Sequence, residues 1–182
     1  LIDYGRELHG GVQVISGRSA TSFADERVLR VRIRFGESVS EAMGEPNNDH
    51  AVHDAAVGIA AMGATEFGGT GFRFVRIDNL EAERTLEIRE LRAVSLCRDL
   101  TQIASFASDD PLLDRVWQTG AYTTQLCLQD YLWDGIKRDR LVWAGDLHPE
   151  VMVAATVFGK LDVVERSLDL LRDETPAPRF MN

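Results

Sequence analysis

Along the first hundred or so residues, apolar and polar positions alternate with a period of two. Val28-Leu-Arg-Val-Arg-Ile-Arg-Phe35 shows this most cleanly. Leu29, Val31, Ile33 and Phe35 share one face, and Arg30, Arg32 and Arg34 the other. Phe72-Arg-Phe-Val-Arg-Ile77 and Leu86-Glu-Ile-Arg-Glu-Leu91 repeat the pattern, Ala93-Val-Ser-Leu96 follows, and Val12-Gln-Val-Ile15 alternates weakly. Successive side chains of a strand point to opposite faces, so this spacing predicts antiparallel sheets with one buried face and one wet face. Asn47-Asn-Asp49 and Gly68-Gly69 mark loops between strands. Several such strands predict an antiparallel β-sandwich of jelly-roll type over residues 1–107. The row Arg30, Arg32, Arg34 reads as its solvated face.

The period changes at Ser108-Asp-Asp-Pro111. Asp109 or Asp110 can cap a helix that has Pro111 in its first turn, where a missing N–H costs little. Leu112, Val116, Trp117, Ala121, Leu128 and Leu132 then recur at helical steps, which predicts a helix to about Trp133 with Gly135 at its stop. A second helix is predicted from near His148-Pro-Glu150. Its core stripe is Ala154, Val157, Phe158, Leu161, Val164, Leu168 and Leu171, and Arg172 suits its C-terminal end. The order is therefore a sheet domain, 1–107, followed by helices, 108–182.

Charge narrows the functional classes. Asp plus Glu number 29 against 20 Lys plus Arg, a net charge of −9. Phosphate backbones call for a basic face, so the chain does not read as a nucleic-acid binder. No apolar run approaches the roughly 18 residues of a membrane span. Cys97 and Cys127 form neither a disulfide framework nor a C-x-x-C pair. Cys127, with no base adjacent in sequence, reads as a structural thiol. His50 and His53 stand beside Asp49 and Asp54, but nothing completes a coordination shell, so no metal site is expected. Gly68-Gly-Thr-Gly71 lacks the Lys and the strand-to-helix setting of a phosphate loop and reads as a turn. The start at Leu1 and the helix-breaking tail Thr175-Pro-Ala-Pro-Arg179 suggest a piece of a longer polypeptide.

The concentrated chemistry lies between the two predicted helices, in Asp134-Gly-Ile-Lys-Arg-Asp-Arg-Leu-Val-Trp-Ala-Gly-Asp146. This loop holds three carboxylates, three cations and a Trp. One reading is a solvated loop in which Arg138 and Arg140 pair with Asp134 and Asp139 while Asp146 caps the next helix, an arrangement worth little energetically. The other is a sugar site. Carboxylates and Arg would hold hydroxyls, an aromatic ring would lie against the apolar sugar face, and a carboxyl kept protonated by like-charged neighbours would donate to a leaving oxygen. Composition leaves both open.

The loop resembles the signature of the α-L-rhamnosidase family of glycoside hydrolases (family 78), Asp-Cys-Pro-Gln-Arg-Glu-Arg-Leu-Gly-Trp-Thr-Gly-Asp. Without gaps, Asp134, Arg138, Arg140, Leu141, Trp143, Gly145 and Asp146 match it. The resemblance extends over nearly the whole chain and in order. Asp3-Tyr-Gly-Arg-Glu-Leu-His-Gly-Gly11 is similar to the family's Asp-Phe-Gly-Gln-Asn-x-x-Gly, Arg34-Phe-Gly-Glu37 to an Arg-x-x-Glu strand end, and Gly71-Phe-Arg-Phe-Val-Arg76 to Gly-Phe-Arg-Tyr-Val. The resemblance implies the family's last β-sandwich followed by the first helices of an (α/α)₆ barrel.

It also implies roles. Asp134 and Asp146 would hold sugar hydroxyls, Arg138 would support them, and Trp143 would form the apolar wall. Asp139 stands at the family's general-acid Glu, one methylene shorter, or at an Asp that some members carry before that Glu. Gly135-Ile-Lys137 replaces Cys-Pro-Gln and Val142 replaces Gly, which alters the pocket wall. The family inverts configuration, so a carboxylate base must face the acid, and that base comes from a later barrel helix. Twelve barrel helices need at least ~180 residues, and only about 70 follow Asp110. The 182 residues alone are thus expected to lack the base and to be inactive. The implied substrate is a rhamnose-containing glycan or glycoside, with no organic cofactor. The alternatives are a non-catalytic carbohydrate-binding protein on the same scaffold and a glycosidase of different sugar specificity.

Overall fold

A computed structural model of the chain describes residues 1–19, 28–45 and 54–174. These fall into two compact units, Leu1–Leu96 and Cys97–Asn182. The expected order, antiparallel strands followed by helices, is the order found.

The first unit is a five-stranded antiparallel sheet. Its strands are β1 (Ile2–Ser19), β2 (Val28–Gly36), β3 (Asp54–Ala60), β4 (Ala64–Asn79) and β5 (Leu86–Ser95), in spatial order β3-β2-β4-β1-β5. The alternation read from β2 is the observed one: Leu29, Val31, Ile33 and Phe35 are buried. They pack with Val12, Val14, Ile59, Phe72 and Val75 into one core. Phe72 sits edge-on between Tyr4, at 5.8 Å, and Phe35, at 5.0 Å. Such aromatic pairs add about 0.5–1.5 kcal/mol each beyond the burial of their area.

Two of the three stretches that carry the β-domain resemblance, those at Asp3 and at Gly71–Arg76, meet in the sheet. Ile2 and Asp3 pair with Val75 and Phe74, and Arg73 grips the Asp3 carboxylate with both arms of its guanidinium, at 2.7 and 2.8 Å.

Two details differ from the sequence reading. Arg34 is not solvated: only 2% of it is exposed. Its Nε donates to the Glu41 carbonyl at 2.9 Å and one terminal nitrogen pairs with Asp54 at 3.3 Å. The cover is the short helix α1 (Val39–Met43), capped by Ser38, together with β3; neither has a periodic signature in sequence. Gly68-Gly69 is not a loop but part of β4, opposite Gly10 and Gly11 of β1, where the register slips. Gly68 takes φ +149, and a Cβ there would collide with the Gly11 backbone, so two strands approach closely only because both positions are glycine. Asn47-Asn-Asp49, His50, His53 and the Thr175–Arg179 tail lie outside the described residues.

The second unit holds α2 (Pro111–Cys127), α3 (Ala144–Phe158) and α4 (Asp162–Glu174). Asp110 caps α2, accepting the Leu112 N–H at 2.8 Å, with Pro111 in the first turn as expected. The helix ends six residues earlier than the stripe predicts. The chain reverses at Gln129–Tyr131, with Trp133 N–H donating to the Cys127 carbonyl at 3.0 Å and Arg98 donating to the Gln129 carbonyl at 2.7 Å. Leu128 and Leu132 remain fully buried through this reversal, so their spacing serves a tight turn instead of a helix.

The second predicted helix is two. Gly159, at φ +82, stops α3 by donating to the Ala155 carbonyl, and α4 starts at Asp162. The unit's core gathers Leu126, Cys127, Leu128 and Leu132 with Ile136, Leu147, Ala154, Val157, Phe158 and Val163.

Candidate functional site

The acidic segment follows α2 and ends in the first turn of α3. Burial of Leu132, Ile136 and Leu147 pins it to the helical core at three points. It is closed as a loop by one reciprocal contact. Asp134 N–H donates to the Leu141 carbonyl at 2.9 Å, and the Asp134 carboxylate accepts the Leu141 N–H at 2.8 Å. The six residues between them are thereby folded into a compact excursion, and one Asp134 oxygen is committed to backbone while the other is left for chemistry. Ser167 of α4 supports the loop from beneath. Its hydroxyl accepts the buried Leu132 N–H at 2.8 Å and donates to the Val163 carbonyl at 2.7 Å.

At the tip of the excursion Arg138 pairs with its neighbour Asp139, both guanidinium contacts at 3.3 Å. The Asp139 carboxylate holds the guanidinium proton, raising the Arg138 pKa, with the more distant Asp134 charge adding to the effect. Arg138 is the more exposed partner, with 79% of its side chain open to solvent against 36% for Asp139. Arg140 follows at φ +54, a left-handed conformation uncommon for a residue with a Cβ. Lys137, by contrast, is buried.

Trp143 is the residue at which helical hydrogen bonding begins. Its carbonyl accepts from Asp146 and Leu147 at 3.2 and 3.0 Å, and its side chain is half exposed. Asp146 therefore does not cap the helix. It lies in the first turn of α3, where the helix dipole favours a negative charge, and it is exposed. His148, two residues further along α3, is exposed.

The residues singled out from sequence fall into two subsets. Arg138 and Asp139 form an ion pair at the loop tip. Asp134 and Asp146 both act electrostatically on Glu150, a residue the sequence reading passed over. Glu150 lies four residues after Asp146, on the same face of α3. It is half-buried, and burial first, then the charges of Asp146 and Asp134, push its carboxyl up to about 7. The signal was present as the i, i+4 carboxylate spacing across Pro149, but in sequence such a pair is indistinguishable from a wet helix face. Cys127, at the end of α2, feels the same carboxylates. Burial, Glu150 and Asp134 push its thiol up to about 12, so it is a poor nucleophile, as its position suggested.

Among the described residues no group of three His, Cys, Asp or Glu is placed to hold a metal ion, and no helix is long and apolar enough to cross a membrane. A shallow apolar groove between α2 and α3, lined by Val116, Trp117, Met152 and Val153, includes none of the acidic-loop residues.

Residues 101–180 match the bacterial α-L-rhamnosidase six-hairpin glycosidase domain. A search of curated protein sequences finds no match. Among solved structures, the chain is similar to a rhamnosidase from Klebsiella oxytoca determined with rhamnose bound. The TM-score is 0.80 and the identity 23%, over 93% of this chain and 34% of that one. It is also similar to a family 78 rhamnosidase of Bacillus sp. GL1, with a TM-score of 0.69 and 23% identity, over 96% of this chain and 18% of that one. The chain thus spans about a third of the length of the first enzyme and less than a fifth of the second. By its fold and its matched C-terminal segment, the chain resembles a stretch of the α-L-rhamnosidase-like glycoside hydrolases, running from an antiparallel β domain into the six-hairpin glycosidase domain.

Proposed function

We propose that this chain is a segment of an inverting α-L-rhamnosidase, carrying the sugar-holding loop and the proton donor of the active site. The observation that carries the reading is the six-hairpin glycosidase match over residues 101–180, which contains the whole of Asp134–Asp146. Asp134 uses its free oxygen, and Asp146 its exposed carboxylate, to accept hydrogen bonds from sugar hydroxyls. Trp143, half exposed at the head of α3, offers a ring to the apolar face of the sugar.

Asp139 donates the proton to the leaving oxygen. Asp139 stands at the loop tip paired with Arg138, which orients its carboxyl. Inversion then requires a carboxylate base roughly 6.5–9.5 Å away to activate water, and we assign that base to a later part of the full enzyme. The substrate class is a terminal α-L-rhamnosyl glycoside, and protonation with water attack requires no organic cofactor.

The test is hydrolysis of p-nitrophenyl α-L-rhamnoside by the full-length enzyme and by its Asp139→Asn variant. Removing a general acid costs about 10²-fold or more. Activity that survives the substitution would move the acid elsewhere, and a wild type that binds rhamnose without cleaving it would establish a carbohydrate-binding protein instead. The isolated 182 residues are expected to show no turnover.

A further inference from the structure

We propose that Ser167 is a positioning residue of the sugar site, one that sets the place of the Asp134 carboxylate without touching the sugar. The proposal rests on the functional reading above and deepens it.

Three consecutive amides carry the argument. The Leu132 N–H donates to the Ser167 hydroxyl at 2.8 Å, the Trp133 N–H to the Cys127 carbonyl at 3.0 Å and the Asp134 N–H to the Leu141 carbonyl at 2.9 Å. α4, the end of α2 and the far leg of the loop thus each hold one peptide of the track that ends at Asp134. The Leu141 N–H, donating to the Asp134 carboxylate at 2.8 Å, then fixes the direction of the side chain itself. Of the three amide bonds, those of Trp133 and Asp134 run to backbone carbonyls and need no particular side chain. The bond of Leu132 depends on a side chain brought from 35 residues away.

Ser167 is fully buried on α4, one turn after Val163. Its hydroxyl proton goes to the Val163 carbonyl at 2.7 Å, within its own helix. The oxygen is left to accept, and what it accepts is the buried Leu132 N–H. A hydroxyl at a buried position is costly unless bonded, and Ala would suit the helix better, so what Ser167 contributes is the Leu132 contact. Ile136 and Lys137, both buried, anchor the loop again between Asp134 and the Asp139 tip. Ser167 therefore bears on the sugar-holding carboxylate and not on the proton donor.

Without the hydroxyl, the Leu132 amide loses its partner and Asp134 samples positions in which its free oxygen misses the sugar. A contact made alike in the ground state and the transition state is weakened, so KM rises while kcat holds. A merely structural role has the opposite signature. Unfolding part of the population removes active enzyme, which lowers the apparent kcat and leaves KM unchanged.

The experiment measures kcat and KM for p-nitrophenyl α-L-rhamnoside in the longer protein proposed above. Ser167→Ala is expected to raise KM about two- to tenfold, the worth of one hydrogen bond, with kcat within about twofold of the wild type. Ser167→Cys, close in shape but a weaker acceptor, should give an intermediate KM, and it supplies the readout if the Ala variant fails to fold. A KM unchanged in these variants overturns the proposal and leaves the hydrolase reading intact, and so does a loss confined to kcat. A wild type inert toward the substrate removes the functional reading and the proposal together.

Discussion

The β unit and the helical unit treat their apolar residues differently. In β2 and at Phe72 of β4, the residues that alternation assigns to the inside are inside, Leu29, Val31, Ile33, Phe35 and Phe72 each being no more than 2% exposed, while Ile88 of β5 is 38% exposed. In the helical unit the stripe read from α2 divides. Ala121, Leu128 and Leu132 are buried, whereas Leu112 and Val116, at the start of the same helix, are 56% and 60% exposed. A strand finds its partners by hydrogen bonding sideways, and the sheet so formed presents a continuous face that closes over its own core. A helix satisfies its backbone internally, so its apolar face stays bare until another element is laid against it. In the described part of this unit, α3, α4 and the acidic segment cover the C-terminal half of α2 and leave the first two turns open.

The contrast can be broken by substitution. The largest effect is expected for Phe72→Ala in the β core, a loss of about 3–5 kcal/mol, because the ring contacts Tyr4 and Phe35 and is fully buried. Hydrogen exchange at β1 and β4 amides would measure it, and a loss under ~1 kcal/mol would mean that the sheet core is looser than its packing indicates.

In the helical unit the costliest polar change is expected at Ser167. Ser167→Ala strands the buried Leu132 N–H and should cost about 1–3 kcal/mol, read by denaturant unfolding. All three tryptophans, Trp117, Trp133 and Trp143, lie in this unit, so their fluorescence reports on it.

The smallest effect on stability belongs to the open face. Val116→Ala in the 182-residue chain should change stability by no more than about 0.5 kcal/mol. In the longer protein proposed above, the same substitution should cost more, since closing a barrel would bury that face. Equal, negligible costs in both would count against barrel closure over α2.

Acidity sharpens the comparison because the two units are expected to respond in opposite senses. In the β unit, the Arg73 guanidinium and then the Gly5 N–H hold the Asp3 carboxyl down at about 2, against an ordinary value of 3.8. The stability it lends is present above pH 4 and lost as pH falls toward 2. In the helical unit, Glu150 goes the other way, from 4.5 up to about 7. The folded form keeps a proton that the unfolded chain releases, so stability is highest below pH 4.5 and declines as pH rises to 7. Amide exchange resolved by unit across pH 3 to 8 would show the two trends crossing. Parallel trends would dissociate one of these carboxyls from the stability of its unit.

The sequence by itself determined the inward face of β2, the helix start at Pro111 with Asp109 or Asp110 as its cap, and the grouping of Asp134, Arg138, Asp139, Trp143 and Asp146 in one connecting segment. Each of these is set by local periodicity or by backbone chemistry within a few residues. Tertiary structure alone decided the rest. Arg34 belongs to a strand face that alternation leaves wet, yet α1 and Asp54 arrive from elsewhere in the chain to bury it. Leu128 and Leu132 keep a helical spacing, but a reversal held by Arg98 and Ser167 uses that spacing for a turn. Glu150 reads in sequence as an ordinary helix carboxylate, and burial in the fold, with the charges of Asp146 and Asp134 added, pushes its carboxyl up to about 7. A charge's environment depends on what folds against it from a distance, and one-dimensional spacing does not carry that information.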